Sequence, residues 1–325
     1  MRRRILLVAG FFLLMCVAKS QFDVKVHILD GMSDSLLKAK IEDNSSRFLS
    51  EMGMAFALGE QPVFDSIDIL PTAQKTILSI WTETGHFNCS VTEIDRKIMH
   101  RADGGYQLRD IPVFMPEAEN AGQKQSLVLN FTKGGTICEI YQIPENQDIS
   151  AVLDGGKEVK EFIRRQRILD FVEKFRTAYN TKDTGFLKMV FSDNALIITG
   201  KVVKVATTDN TVSVPKEKIV YTTQTKKQYL DKLAYLFKIN KYLNIEFKDY
   251  EIQQHPKYPD LYGVVFFQVW NTEYYKDKGY VFLMIDFANE NEPMIHIRTW
   301  QPEKYNGQQL KKEEVFRVTS FDITR

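Results

Sequence analysis

The residues with the clearest chemical potential lie near the C-terminus, in the stretch FLMIDFANENEPMIHIRTWQPE (282–303). The stretch resembles two apolar strands joined by a polar turn, yet it contains Asp286, His296 and Arg298. A carboxylate beside an imidazole in an apolar cavity can act as a general base. The same side chains could instead form the polar floor of a binding pocket, or a cross-strand network that only holds the fold. The sequence leaves these alternatives open.

The pairing of the two strands decides where these side chains point. A turn centred on residues 289–291 places Asp286 opposite residues 294–296, within reach of His296. Because side chains alternate along a strand, four residues are predicted to share one face: Met294, His296, Arg298 and Trp300. If Ile295 and Ile297 formed the inner face instead, that polar set would lie outside.

The first twenty residues, MRRRILLVAGFFLLMCVAKS, have the pattern of a secretory signal peptide. Three arginines precede an apolar run that ends at Val17, and Ala18–Ser20 offers a cleavage site. We therefore expect an exported protein that begins near Gln21, located in the periplasm, at the outer membrane or outside the cell. No later apolar run approaches the ~20 residues of a spanning helix.

Composition excludes several classes of partner and cofactor. Removing the four basic residues of the signal leaves 39 of 43 basic residues against 42 acidic ones. A net charge near −3 argues against a nucleic-acid partner. The five histidines are scattered, and neither a zinc-ligand spacing nor a cofactor fingerprint occurs. We expect no metal and no cofactor.

Two cysteines remain after cleavage of the signal, Cys89 and Cys138. Both lie in strand-like runs. In an oxidising compartment they could form one disulfide, and free buried thiols are an equal alternative.

The pattern of apolar residues and breakers predicts two α+β domains, residues 21–146 and 147–325. In the first, a strand and a helix over residues 35–58 precede a shorter helix over 72–83. An antiparallel meander then follows, with helices on one sheet face.

The second domain is predicted to contain a long helix over residues 157–181, a short helix and the strand ALIITG. After an exposed polar insertion, ATTDNTVSVPKEK (206–218), come a third helix over 225–238 and four long strands.

This order, with the motifs ILDFVEKFRTAYNTKD, FSDNALIITG and the closing HIRTWQP, resembles the nuclear transport factor 2-like superfamily. That family has a cone-shaped, cystatin-like roll and includes the ketosteroid isomerases. The resemblance covers residues 160–302 and implies three helices wrapped by a curved antiparallel sheet, with a pocket between them. The N-terminal domain could be a degenerate copy of the roll. The whole chain also resembles exported proteins of Bacteroidales bacteria, a likeness that brings no activity with it.

The roll implies a set of site residues. Those expected to bind a ligand are Tyr179, Tyr262, Trp270, Arg298 and Trp300. Tyr274–Tyr275 is expected at the pocket mouth. We predict a non-enzymatic binding or scaffold protein of the cell envelope, with a small molecule or an envelope protein as partner.

Two alternatives stay open. The first is an isomerase or dehydratase that uses Asp286 and His296 as an acid–base pair, with Tyr179 or Tyr262 polarising a carbonyl. The second is an envelope subunit or homodimer that uses an uncovered apolar face of the sheet.

Overall fold

The computed structural model describes residues 22–115, 124–144, 153, 159–205 and 216–323. The chain divides into two compact units, residues 1–147 and 148–325. Each unit combines helices with mostly antiparallel sheet, which confirms the predicted α+β class. The predicted signal peptide and residues 206–215 of the polar insertion lie outside the described residues. No helix of the described ranges is long and apolar enough to cross a membrane.

The described residues of the N-terminal unit form two helices and seven strands. Its elements are β1 Lys25–Asp30, α1 Ser35–Leu58, α2 Pro71–Thr84, β2 Asn88–Cys89, β3 Glu93–Lys97, β4 Met99–His100, β5 Tyr106–Phe114, β6 Lys124–Phe131 and β7 Ile137–Pro144. Strands β2-β5-β6-β7 form an antiparallel sheet, β4 pairs with β5, and β1 pairs in parallel with β3. The predicted long helix is confirmed: the Asp34 carboxylate caps α1 by accepting from the amides of Leu36 and Leu37, both at 3.0 Å.

The two cysteines are too far apart to pair. Cys89 lies on β2 and Cys138 on β7, three strand spacings apart across the sheet. Three spacings amount to about 14 Å, well beyond the ~7 Å between Cα atoms that a disulfide tolerates. Neither cysteine forms a disulfide, and burial raises the pKa of Cys89 to about 11. The disulfide alternative is therefore wrong, and the cysteines act as packing residues.

In its described residues, the C-terminal unit has three α-helices and a six-stranded sheet. Its elements are α3 Val159–Asn180, α4 Thr184–Val190, β8 Phe191–Val205, β9 Lys216–Gln224, α5 Lys226–Ile239, β10 Leu243–Gln254, β11 Leu261–Thr272, β12 Lys276–Asp286, β13 Met294–Pro302, β14 Lys304–Tyr305 and β15 Gln308–Gln309. The sheet order is β10-β11-β12-β13-β8-β9, and only β13 and β8 run parallel.

Strand β9 corrects the prediction at the last three residues of the exposed insertion, 216–218. Residues 216–224 pair antiparallel with β8, from Lys216 opposite Val205 to Gln224 opposite Ile197. The polar residues up to 218 predicted a loop, whereas the run KIVYTTQ (218–224) is rich in residues that favour strands. The pairing partner, not the local composition, decides the structure here.

The main core of this unit lies between the sheet and its three helices. We call this side of the sheet the helix-facing side. Helix α3 contributes Ile168, Val172 and Phe175, which pack with sheet residues such as Phe247 and Val281, all of them buried.

The opposite side of the sheet is covered by the chain's own C-terminal tail, residues 303–323. Leu310, Val315 and Val318 are buried in a second cluster, and the ring of Phe321 stacks on Phe282 with centroids 5.4 Å apart. The apolar face predicted for an envelope subunit or homodimer is therefore occupied. We call this side of the sheet the tail-facing side.

An ion pair fastens the tail. Arg317 Nη2 donates to Glu251 Oε2 at 3.1 Å. This hydrogen bond holds the pKa of the Glu251 carboxyl below its usual value.

Candidate functional site

A β-bulge in β13 separates the polar residues that the sequence placed together. Ile285 pairs with Ile295, but its neighbour Met284 pairs with Ile297, so His296 is an extra residue in the ladder. Ile295 therefore packs against the helices while Ile297 packs under the tail. The prediction that His296 and Arg298 share a strand face is wrong, because the bulge shifts the alternation by one residue.

His296 and Asp286 form a hydrogen-bonded cluster away from the helix-facing core. His296 Nδ1 lies 3.0 Å from Ser192 Oγ, and Nε2 lies 3.3 Å from Asp286 Oδ2. Asp286 Oδ1 also accepts from the amide of Ala288 at 2.8 Å. The His296 side chain is 41% exposed. These contacts link β8, β12 and β13 at the bulge, which is the structural alternative left open by the sequence.

Arg298 lies on the other side of the sheet, buried in the helix-facing core. The residue is only 4% exposed, and its Cζ lies 5.0 Å from the centroid of the Tyr229 ring. Burial alone would lower the pKa of this guanidinium, but the oxygens of Tyr229 and Tyr179 raise it. Among the described residues Arg298 forms no ion pair with a carboxylate, and its Nε has no hydrogen-bond partner.

The two tyrosines beside Arg298 are joined to each other. The hydroxyl groups of Tyr179 on α3 and Tyr229 on α5 share a short hydrogen bond. Burial raises the pKa of Tyr179 well above its usual value, and Arg298 opposes that shift. The Tyr179 phenol is therefore neutral at ordinary pH, and together with Tyr229 it offers Arg298 hydroxyl oxygens rather than a carboxylate.

A cavity of about 300 Å³ opens between α5 and the helix-facing side of the sheet. Its wall combines aromatic, aliphatic and polar side chains: Thr199, Gly200, Gln224, Tyr229, Lys232, Leu233, Leu236, Gln268, Trp270, Tyr275, Asp277, Arg298 and Trp300. Two of the chain's three tryptophans are among them.

Helix α5 supplies one wall of this cavity by simple periodicity. Tyr229, Leu233 and Leu236 are spaced four and three residues apart, so they lie on one helix face. A capping box starts the helix: Thr225 accepts from the Gln228 amide at 3.2 Å, and the Gln228 side chain accepts from the Thr225 amide at 3.0 Å.

Polar contacts line one edge of the cavity. Lys232 Nζ donates to Gln224 Oε1 at 3.0 Å, and Gln224 Nε2 donates to Thr199 Oγ1 at 2.7 Å. The hydroxyl of Tyr275 donates to Asp277. Burial raises the pKa of the Asp277 carboxyl, with the Tyr275 hydrogen bond acting against it.

The buried Arg298 and the half-buried Asp277 lie at opposite ends of the cavity. Arg298 pairs with Leu283 on β12, and Asp277 lies six residues before Leu283 on the same strand. Six residues of extended strand span about 20 Å. The cavity therefore has a positive floor at Arg298 and an acidic rim at Asp277.

The predicted site residues separate into three groups. The cavity wall includes Trp270, Arg298 and Trp300. Tyr179 is not in the wall, but its hydroxyl is hydrogen-bonded to Tyr229, which is. Tyr262 lies elsewhere.

Tyr262 is eight residues from Trp270 along β11, or about 26 Å. It accepts from Gln254 Nε2 at 3.2 Å and lies 5.6 Å below the Arg164 guanidinium.

Sequence reasoning missed the α5 residues Tyr229, Lys232, Leu233 and Leu236. The helical spacing of the first, third and fourth was visible, but which sheet residues they would face was not. Tyr275 was expected at a pocket mouth and lines the cavity. In the described part of the chain, no group of three metal-ligating side chains comes together.

The topology of this unit is the evidence for its fold. Along the chain, the unit has two helices, a pair of strands, a third helix and four antiparallel strands. The six strands form one sheet, and the helix-facing side of that sheet holds the cavity. The C-terminal unit has the topology that the resemblance to the nuclear transport factor 2-like rolls implied, with three helices on one side of a six-stranded, mostly antiparallel sheet.

No family model and no curated protein matches the chain. Solved structures that are similar include naphthalene 1,2-dioxygenase with indole bound in its active site (TM-score 0.34, 7% identity, 45% of this chain and 82% of that one). Another is Bd1075 of Bdellovibrio bacteriovorus (TM-score 0.34, 14% identity, 62% and 77%). A third, Rd1NTF2_04 with long sheet, covers 41% of this chain and 97% of its own (TM-score 0.28, 13% identity).

Proposed function

We propose that the C-terminal unit is a binding module that holds a small molecule in the cavity between α5 and the helix-facing side of the sheet. The observation that carries this proposal is the cavity wall, which combines two tryptophans with a buried arginine that has no carboxylate partner among the described residues. Ligand pockets are typically apolar clefts with a few placed polar groups, from about 300 Å³ upwards.

Binding accounts for this cavity better than isomerase chemistry does. A general base must lie within hydrogen-bond reach of the substrate proton. His296 is hydrogen-bonded to both Asp286 and Ser192, and none of the three lines the cavity. The isomerase alternative is therefore not favoured.

A thermal-shift screen of small molecules tests the proposal, using wild type and Leu236→Trp. Leu236 lines the cavity and is 38% exposed, so a tryptophan there can narrow the mouth without entering the core. A ligand at ~100 times its Kd should stabilise the wild type by roughly 2.7 kcal/mol, and Leu236→Trp should abolish the shift.

The matched control is the neighbouring residue Tyr235, which is 63% exposed. Tyr235→Trp should keep every shift seen for the wild type. Ligands that bind Leu236→Trp as well as they bind the wild type would contradict the proposed site.

We further propose that the protein is exported to the cell envelope, where its partner is a small molecule or another envelope protein. The support is the pattern of the first twenty residues, with basic, apolar and small residues in signal-peptide order. Expression of the full chain followed by cell fractionation should yield a periplasmic or surface form that begins near Gln21. A variant with Leu13→Arg and Leu14→Arg should stay unprocessed, since the apolar run is broken. A wild-type protein found in the cytosol with its first twenty residues intact would contradict export.

A further inference from the structure

We propose that the ligand of this cavity is an anion with a planar apolar body, an aromatic or conjugated carboxylate, and that Arg298 selects it. The inference rests on the proposed function and names the chemical class that the cavity takes.

Arg298 provides the first step. A buried charge is costly unless a partner of opposite sign compensates it. The residue is 4% exposed, its neighbours are the hydroxyl-bearing rings of Tyr179 and Tyr229, and no carboxylate pairs with it in the described chain. A guanidinium matches a carboxylate with two parallel hydrogen bonds. A bound carboxylate would supply the missing negative charge.

The other polar groups of the cavity wall are mostly donors. Neither the indole N–H of Trp270 nor that of Trp300 has a partner among the described residues, and the same holds for the side-chain amide of Gln268, which is 4% exposed. An indole N–H can only donate a hydrogen bond, while a side-chain amide can both donate and accept one. A wall with spare donors favours a ligand rich in acceptors.

The positions of the charged side chains in the cavity wall predict how an anionic ligand is oriented. The negative group in the wall, Asp277, lies about 20 Å of strand away from the level of Arg298. Lys232 adds a second positive charge on the α5 side. An anionic group is therefore attracted to the floor and repelled from the Asp277 rim, so the carboxylate enters first.

The apolar part of the wall sets the shape of the rest of the ligand. Trp270 and Trp300 are half-buried and pack at the margin of the core, and Leu233 closes the α5 side. Aromatic faces bind flat apolar groups with large buried area. A planar ring or conjugated chain can pack on Trp300, two residues from Arg298 on β13, with its carboxylate at Arg298, while Trp270 pairs with Asp277 and borders the rim.

The test compares trans-cinnamate with its neutral amide, trans-cinnamamide, by isothermal titration on the full protein. The two probes share a planar body and differ in charge. We expect the wild type to bind cinnamate at least ten-fold more tightly than cinnamamide. Arg298→Gln should lose that preference while keeping cinnamamide binding, and Arg298→Lys should restore part of it. Arg47→Gln, on the surface of α1 in an ion pair with Asp43, should leave both affinities unchanged.

The outcomes separate this inference from the proposed function. Equal binding of the two probes, or tighter binding of the amide, would overturn the anion inference and leave a neutral-ligand pocket. Binding of neither probe would count against both. If Arg298→Gln does not fold, the wild-type preference and the Arg298→Lys variant decide the matter. A cinnamate preference that Arg298→Lys leaves entirely unchanged would overturn the role of Arg298.

Discussion

A chain that ends at Gln309 should unfold at a much lower urea concentration than the full protein and should self-associate. The truncation removes Leu310, Val315 and Val318, whose side chains are 5%, 5% and 2% exposed. Burial of one such side chain contributes about 1.5–3 kcal/mol, so the C-terminal unit should lose roughly 5 kcal/mol. The truncation also exposes the tail-facing side of the sheet, including Phe282 and Met284. Exposed apolar patches of this kind drive association.

Urea denaturation and light scattering after size exclusion would measure the two effects. The matched point variants are Val318→Asp, which places a carboxylate under the tail, and Thr319→Asp on its exposed side. The first should reproduce the truncation and the second should match the wild type. A truncated chain that keeps its full stability would show that the tail does not contribute to the fold.

Replacement of Gly279 by alanine adds one methyl group, and it should destabilise the C-terminal unit more than the same change at any other glycine of the unit. A Cβ at this position would lie 2.1 Å from the backbone oxygen of Gln301 and 3.0 Å from Trp300 Cε2. Strand β12 cannot move away freely, because Gly279 is paired on both sides, with Pro302 on β13 and with Gln268 on β11. We expect a loss of about 3 kcal/mol, the upper range for overpacking. The shift of Trp300 should also weaken ligand binding in the cavity.

Thermal unfolding followed by circular dichroism and by tryptophan fluorescence would measure this loss, since two of the three tryptophans line the cavity beside β12. Gly134→Ala is the control. The nearest atom that its Cβ would meet is Thr132 Oγ1 at 3.9 Å, so the melting temperature should stay close to that of the wild type. Equal melting temperatures for both variants would mean that the strands at Gly279 can separate without cost.

Helices and their ends could be predicted from the sequence because they depend on neighbours in the chain. The cap of α1 uses Asp34 and amides two and three residues ahead of it. The spacing of apolar residues in α3 and α5 needs no partner to be recognised. The strands β10 to β13 are long apolar runs separated by polar turns, and their order matches the family pattern.

The contents of the candidate site could be predicted only in part. Trp270, Arg298 and Trp300 were chosen as binding residues, and all three line the cavity. Their expected companion Tyr262 lies about 26 Å along β11 from Trp270, because a residue's height on a strand decides which end of the roll it reaches. Whether Cys89 and Cys138 could form a disulfide was likewise decided by the tertiary structure, because the strand order places them at opposite edges of the sheet.

By itself, the sequence determined the α+β class, the helices and the long strands, since these follow from local spacing. The tertiary structure alone decided which side of the sheet each polar residue occupies. One bulge at His296, created by pairing with β12 and β8, moved that histidine away from Arg298. A single inserted residue exchanges the two faces of everything after it. The physical reason is that strand register is a property of partners distant in the chain, and it places Arg298 in the cavity and His296 outside it.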